Sequence, residues 1–253
     1  MRHFGVTGYP LGHSFSASYF AGKFQSENIG DAAFFNFPVK RASSVRELFV
    51  KDQMLIGLSV TLPYKRSVIP FLDSIDHEVE NIGAVNSIRA VRSDGSLHLR
   101  GFNTDHYGFS RSLTEREGFK RGGRAIILGA GGAAAAVRYA LEYLDFDILR
   151  VSRKRYTGSV LYEDITASDI GSADIIVNAT PLGMYPETDA SPPIDYGCAR
   201  PDTLFYDLVY NPPVTRFMEE GAARGADTMN GSRMLVLQAE RSWEIWNYLD
   251  KVV

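Results

Sequence analysis

The sequence predicts an α/β protein of two domains, each built on a mostly parallel sheet, and three observations predict it. Short β-rich runs alternate with amphipathic helical stretches from one end of the chain to the other, the pattern of βαβ units. Midway, after the polar, glycine-rich REGFKRGGR at 116–124, a strand restarts and runs into a glycine loop, as a new domain would begin. The chain also has 253 residues, 45% of them hydrophobic and 23% charged, enough to bury two cores.

In order, the strand patterns of the first half fall at 3–8, 32–39, 55–61, 84–91 and 97–103, and those of the second at 124–130, 148–153, 173–180 and 203–210. Helical periodicity fills the gaps at FSASYFAGKFQSE, ASSVRELFVKD, YGFSRSLTERE and GAAAAVRYALEYL. The last segment, 232–252, reads as one long helix with an apolar stripe of Leu235, Ala239, Trp243, Trp246 and Leu249. Having left the second domain, it is expected to return and pack on the first. The first domain is then discontinuous, 1–103 with 232–253, and the second is 104–231. The junction of two such domains is where ligand sites commonly lie.

The bulk composition excludes several classes of function. A net charge of −3 argues against nucleic acid or an anionic membrane as the main partner. One cysteine, Cys198, rules out an internal disulfide framework and a cysteine-based zinc site, and the five histidines are scattered without metal-ligand spacing. The opening MRHFGVTGYP reads as a strand entering a turn and not as a signal peptide, and AIILGAGGAAAAV is too short and glycine-rich to span a bilayer. A cytoplasmic location follows by default.

The loop LGAGGAAAAV places Gly129, Gly131 and Ala134 in the GxGxx(G/A) register between a strand and a helix. The first glycine permits the tight turn, the second lets the backbone approach a pyrophosphate, and the small third residue lets helix pack on strand. The helix N-terminus adds free N–H groups and a partial positive charge. The next strand ends in Ser152, Arg153, Lys154 and Arg155. An acid there would hold a ribose hydroxyl, whereas guanidinium and ammonium groups suit a 2′-phosphate, so the reading is NADP.

A dehydrogenase of alcohols also needs a proton acceptor, a group to meet the developing oxyanion, and substrate anchors. GHSFSAS (12–18), SVTLPYK (59–65), GAVNS (83–87) and GFNTD (101–105) supply polar groups at or beyond the ends of expected strands, where ligands bind in open parallel sheets. Lys65 follows a proline turn and suits acid/base work; it equally suits the solvated start of a helix. Asp105 suits orienting that lysine, and equally suits capping the next helix.

Taken together with GAGGA, NATPLGM (178–184), DLVYNP (207–212) and GSRMLVLQA (231–239), these stretches are similar in content and order to the motifs of the shikimate dehydrogenase family. The resemblance runs from end to end. It implies a substrate domain and a Rossmann-like NADP-binding domain, and the reversible NADPH-dependent reduction of 3-dehydroshikimate to shikimate in aromatic amino-acid biosynthesis. It implies that Lys65 is the acid/base with Asp105, and that Ser14, Ser16 and Tyr210 hold the substrate carboxylate. Thr61, Asn86 and Gln238 would surround the ring hydroxyls. Gly129, Ala130, Gly131, Gly132 and Ala133 would cradle the pyrophosphate and Ser152, Arg153 and Lys154 the adenosine phosphate. Thr180, Leu208 and Gly231 would lie along the cofactor toward the nicotinamide.

The chain departs from the family at the serine motif, where Ala17 replaces a proline and Tyr19 and Phe20 replace a His-Asn pair. Tyr19 is thereby expected near the carboxylate site. Two rival readings stay open: a quinate/shikimate paralogue with relaxed substrate or cofactor choice, and a catalytically silent NADP-binding sensor. The pairing of Lys65 with Asp105 weighs against the sensor, and both monomer and homodimer are compatible with the sequence.

Overall fold

The computed structural model describes residues 1–11 and 15–248. In chain order the elements are β1 (Arg2–Gly8), α1 (Phe15–Ser26), β2 (Ala32–Pro38), α2 (Val45–Lys51), β3 (Leu55–Val60), β4 (Ser74–Ile75), α3 (His77–Ile82), β5 (Ser87–Ser93) and β6 (Ser96–Phe102). There follow α4 (Asp105–Thr114), β7 (Gly123–Leu128), α5 (Gly132–Tyr143), β8 (Phe146–Ser152), β9 (Ser159–Leu161), α6 (Ala167–Gly171) and β10 (Ile175–Asn178). The chain ends with β11 (Leu204–Asp207), α7 (Arg216–Ala222), β12 (Asp227–Met229) and α8 (Ser232–Tyr248). It forms two compact units, Met1–Thr104 with Gln238–Val253, and Asp105–Leu237. The first turns of α8 therefore belong to the second unit, where Met234 is buried in the same cluster as Phe109 and Val137.

The first unit carries a six-stranded sheet in the order β2-β1-β3-β5-β6-β4. The β1–β2, β1–β3 and β4–β6 pairs are parallel, while β3–β5 and β5–β6 are antiparallel. The sheet is mixed because β5 and β6 form a hairpin. Its two turn residues, Asp94 and Gly95, both have positive φ, 50° and 76°, the backbone of a type I′ turn. Strand β5 begins only at Ser87, so the preceding 84–86 lie outside the ladder but are stitched into the sheet by hydrogen bonds. The Val60 N–H donates to the Asn86 carbonyl (2.8 Å) and the Asn86 N–H to that of Phe102 (3.0 Å).

Successive residues of a strand face opposite ways, and the two faces bury different cores. Leu58, Ile88 and Leu99 pack with Val45, Phe49 and Val79 of α2 and α3. Phe4 and Phe102 pack with Phe20 of α1 and with Ala239, Trp243 and Trp246 of α8. Those α8 residues are the stripe expected from sequence; its last member, Leu249, lies outside the described residues.

In the second unit six strands run in the order β12-β11-β10-β7-β8-β9, all parallel, with the strand order reversing between β7 and β10. The near-continuous apolar runs of these strands reflect burial on both faces. One face is covered by α4 and α5 through Phe109, Leu113, Val137 and Leu141. The other is covered by Ile170 of α6 and Phe217 of α7. Among the described residues no helix is long and apolar enough to cross a membrane, and no cluster of His, Cys, Asp and Glu could hold a metal ion.

Candidate functional site

In the first unit Thr61, Lys65, the 84–86 loop and Asn103 are tied together just beyond the ends of β3 and β6. Thr61 leaves β3 with its N–H donating to the Thr7 carbonyl (2.9 Å), and its own carbonyl accepts from the Tyr64 N–H (3.0 Å), which closes the proline turn. Tyr64 is buried and its hydroxyl donates to the Val39 carbonyl at 2.6 Å, pinning the turn to the core. Lys65 comes next, half-buried, and its carbonyl accepts from the Val85 N–H at 2.6 Å. It opens no α-helix: 65–68 is a run of turns leading to a single 3₁₀ turn at Ile69–Phe71. The Lys65 segment and the 84–86 loop are thus one stitched structure, and the Asn103 amide holds the same loop through the Ala84 carbonyl at 2.8 Å.

Asn86 and Gln238 are brought together in a buried polar cluster. The Thr104 N–H donates to Asn86 Oδ1 (2.6 Å), and Asn86 Nδ2 donates to Thr104 Oγ1 (3.0 Å) and to Gln238 Oε1 (3.3 Å). Thr104 Oγ1 is also 3.0 Å from Ser242 Oγ. Thr104 and Ser242 are both fully buried. Sequence reading did not single out either of them. Thr104 lies inside GFNTD, whereas Ser242 carries no local signal beyond its place one turn past Gln238.

Ser16 lies in the first turn of α1, half-buried, while Ser14 falls outside the described residues. Tyr19 donates its hydroxyl to Glu240 on α8, and Lys23 joins the same carboxylate at 2.8 Å. A polar side chain one turn into α1 is within reach of α8, and the charged Glu240 is the stronger acceptor.

In the second unit the glycine loop closes β7 as the GxGxx(G/A) register requires. Gly129 has φ +128°, and a β-carbon there would lie 2.9 Å from the Ala179 carbonyl oxygen, so the fold itself demands glycine. Gly131 differs. It caps α5 at an ordinary φ of −75°, and a β-carbon there would meet nothing within 4 Å. The space above that glycine is open, which leaves room for a ligand to approach the loop. Ala130 lies between them, Gly132 and Ala133 form the first turn of α5, and the dipole of this 12-residue helix points its positive end at the same place. The residues present fit a dinucleotide.

Ser152, at the end of β8, is buried and its hydroxyl donates to the Lys154 carbonyl at 2.5 Å, shaping the turn. Arg155 is engaged by Asp164 at 2.6 Å. The exposed side chains of Arg153 and Lys154 form no ion pair among the described residues. Thr180 follows β10, its hydroxyl donating to Asn178 Oδ1 at 2.6 Å. The Leu208 N–H donates to the Asn178 carbonyl (3.0 Å), and a β-carbon on Gly231 would lie 2.2 Å from the Leu208 carbonyl oxygen. Thr180, Leu208 and Gly231 are therefore parts of one packed edge. Beneath it Asp207 is fully buried and accepts from Asn178 (3.0 Å), the Val209 N–H (2.9 Å) and Thr215 (2.6 Å). Burial pushes its carboxyl up to about 6, against the pull of those hydrogen bonds. Tyr210 is half-buried, and burial pushes its hydroxyl up as well. Asp105, the first residue of α4, is buried too and belongs to this unit.

Comparison with known proteins agrees with these features. The family model described as the shikimate dehydrogenase substrate binding domain matches residues 6–88. The shikimate dehydrogenase (NADP(+)) of Methanopyrus kandleri is 35% identical over 263 residues, covering 96% of this chain and 89% of that one. The crystal structure of shikimate 5-dehydrogenase from Thermus thermophilus in complex with NADP(H) and shikimate superposes with a TM-score of 0.85 at 28% identity, covering 98% of this chain and 94% of that one. A quinate dehydrogenase from Corynebacterium glutamicum in complex with NAD shares the fold with a TM-score of 0.84 at 25% identity, covering 97% of this chain and 93% of that one. The chain belongs to the shikimate dehydrogenase family.

Proposed function

We propose that the protein interconverts 3-dehydroshikimate and shikimate with NADP(H), the first unit binding the substrate and the second the cofactor. The observation that carries the substrate half is the buried amide pair of Asn86 and Gln238 beside the Lys65 turn. Amides can both donate to and accept from hydroxyls, which is what a polyhydroxylated ring requires. Thr61 joins that set. Ser14 and Ser16, with Tyr210, take the carboxylate through their hydroxyls. A cytoplasmic location goes with a small soluble substrate of this kind.

On the cofactor side Gly129 to Ala133 receive the pyrophosphate. Ser152 shapes the turn from which Arg153 and Lys154 meet the 2′-phosphate, and Thr180, Leu208 and Gly231 form the edge along the nicotinamide. NADP, when bound, accepts or supplies the hydride. Lys65 handles the proton: its amine takes the hydroxyl proton as the alcohol is oxidised and returns it to the carbonyl oxygen on reduction. Asp105 orients that amine and accepts from a substrate hydroxyl.

The test is absorbance at 340 nm with purified protein, shikimate and NADP⁺ at mildly alkaline pH, beside wells holding quinate or NAD⁺. A signal with shikimate and NADP⁺ is expected. Turnover confined to quinate or NAD⁺ would move the protein to the paralogous activity, and tight NADP⁺ binding without turnover would leave a sensor.

A further inference from the structure

The hydrogen bonds around Thr104 decide which way two amides point. A backbone N–H can only donate, so the Thr104 N–H, 2.6 Å from the Asn86 amide, must face its oxygen. The Asn86 nitrogen is then the end turned toward Gln238, and because that nitrogen only donates, Gln238 must answer with its oxygen, at 3.3 Å. One main-chain group thereby sets the orientation of both side chains. The Thr104 hydroxyl accepts from Asn86 Nδ2 at 3.0 Å and has its own proton left to place. Three acceptors surround it: Asn86 Oδ1 at 3.3 Å, Gln238 Oε1 at 3.4 Å and Ser242 Oγ at 3.0 Å. Ser242 is the nearest, and it is as fully buried as Thr104, so the pair has no water to fall back on.

We propose that Ser242 is a positioning residue, which by engaging the Thr104 hydroxyl keeps the Asn86 and Gln238 amide oxygens for the hydroxyls of the substrate ring. The proposal rests on the shikimate reading above. Ser242 touches no substrate. Its part is to take the Thr104 hydroxyl proton and so keep it off the amide oxygens, 3.3 and 3.4 Å away, whose acceptor capacity then goes to the hydroxyls of the ligand. Helix α8 carries both Gln238 and Ser242, one turn apart, so the same helix that delivers the amide also delivers the partner that holds the Thr104 hydroxyl away from it.

The experiment compares Ser242→Ala, Thr104→Val, Thr104→Ser and the Ser242→Ala/Thr104→Val double variant. KM for shikimate and for NADP⁺, shikimate Kd by titration calorimetry, and Tm are measured for each. Ser242→Ala is expected to raise shikimate KM and Kd roughly five- to tenfold, the range of one buried hydrogen bond, while KM for NADP⁺ stays within about twofold. Because Ser242 acts through Thr104, the double variant should be no worse than Thr104→Val alone, and Thr104→Ser, which keeps the hydroxyl, should behave as wild type. A Ser242→Ala enzyme with unchanged shikimate KM and Kd, or with a lower Tm only, would overturn the proposal. So would multiplicative losses in the double variant. Failure of the underlying reading looks different: the wild-type protein itself would neither bind nor oxidise shikimate.

Discussion

Gly57 of β3 lies against the indole of Trp246 of α8, so closely that a β-carbon at Gly57 would come within 2.3 Å of the ring. The absence of a side chain there lets the C-terminal helix seat flat on a strand laid down almost two hundred residues earlier in the chain. Trp246 is among the largest fully buried side chains of the protein and has no room to retreat. Gly57→Ala is therefore expected to cost about 3 kcal/mol of stability, at the upper end of ordinary overpacking, read as a lowered urea midpoint with an unchanged m-value.

The two glycines of the dinucleotide loop should separate fold from ligand. Gly129→Ala forces a side chain into φ +128° and against the Ala179 carbonyl, and should lower both Tm and NADP⁺ affinity. Gly131→Ala meets open space, so its Tm should match wild type while NADP⁺ binding weakens by about tenfold or more, a loss of at least about 1.4 kcal/mol. Equal NADP⁺ affinity in Gly131→Ala and wild type would show that nothing lies over that residue.

Cofactor choice should depend on Arg153 and Lys154, since Arg155 is already engaged with Asp164. Charge-assisted hydrogen bonds to a phosphate predict a roughly ten- to hundredfold rise in KM for NADP⁺ in Arg153→Ala, with KM for NAD⁺ nearly unchanged. Steady-state kinetics with both cofactors checks it; parallel losses for the two would point to damage elsewhere in the loop.

Asp207 makes a prediction about pH. Its carboxyl is raised from 3.8 to about 6 by burial, so between those values the folded state holds a proton that the unfolded chain has released. Stability should then fall as pH rises from about 4 through about 6 and level off above, a loss on the order of 2–3 kcal/mol from this group alone. Asp207→Asn keeps an oxygen for the Val209 N–H and removes the titration. The difference in unfolding free energy between variant and wild type should accordingly grow in the variant's favour across that interval, as urea titrations at stepped pH would show.

The second sheet was largely legible because its strands are buried on both faces and read as unbroken apolar runs such as AIIL and IIV. The first sheet was less so. Strand patterns at 84–91 and 97–103 look alike whether the strands pair in parallel or not, and the antiparallel outcome is set by the turn at Asp94-Gly95, a two-residue signal easily passed over between longer patterns. The chemistry-bearing motifs are local and stood out: the Lys65 turn, the glycine loop and Asn86 could be named from sequence. Ser242 could not, because its burial and its partner depend on Thr104, 138 positions away. The Tyr19 hydroxyl turned toward Glu240 for the same reason, an acceptor 221 positions distant.

Lys65 carries the proton in the proposed reaction, and Lys65→Ala is the sharpest probe of that role. Shikimate oxidation by NADP⁺ would be followed at 340 nm under saturating conditions, with NADP⁺ affinity measured in parallel on the same preparation. A fall in kcat of about 10²- to 10⁴-fold is expected, with NADP⁺ binding unchanged. Turnover within about tenfold of wild type would contradict it, and the proton would have to travel through another group.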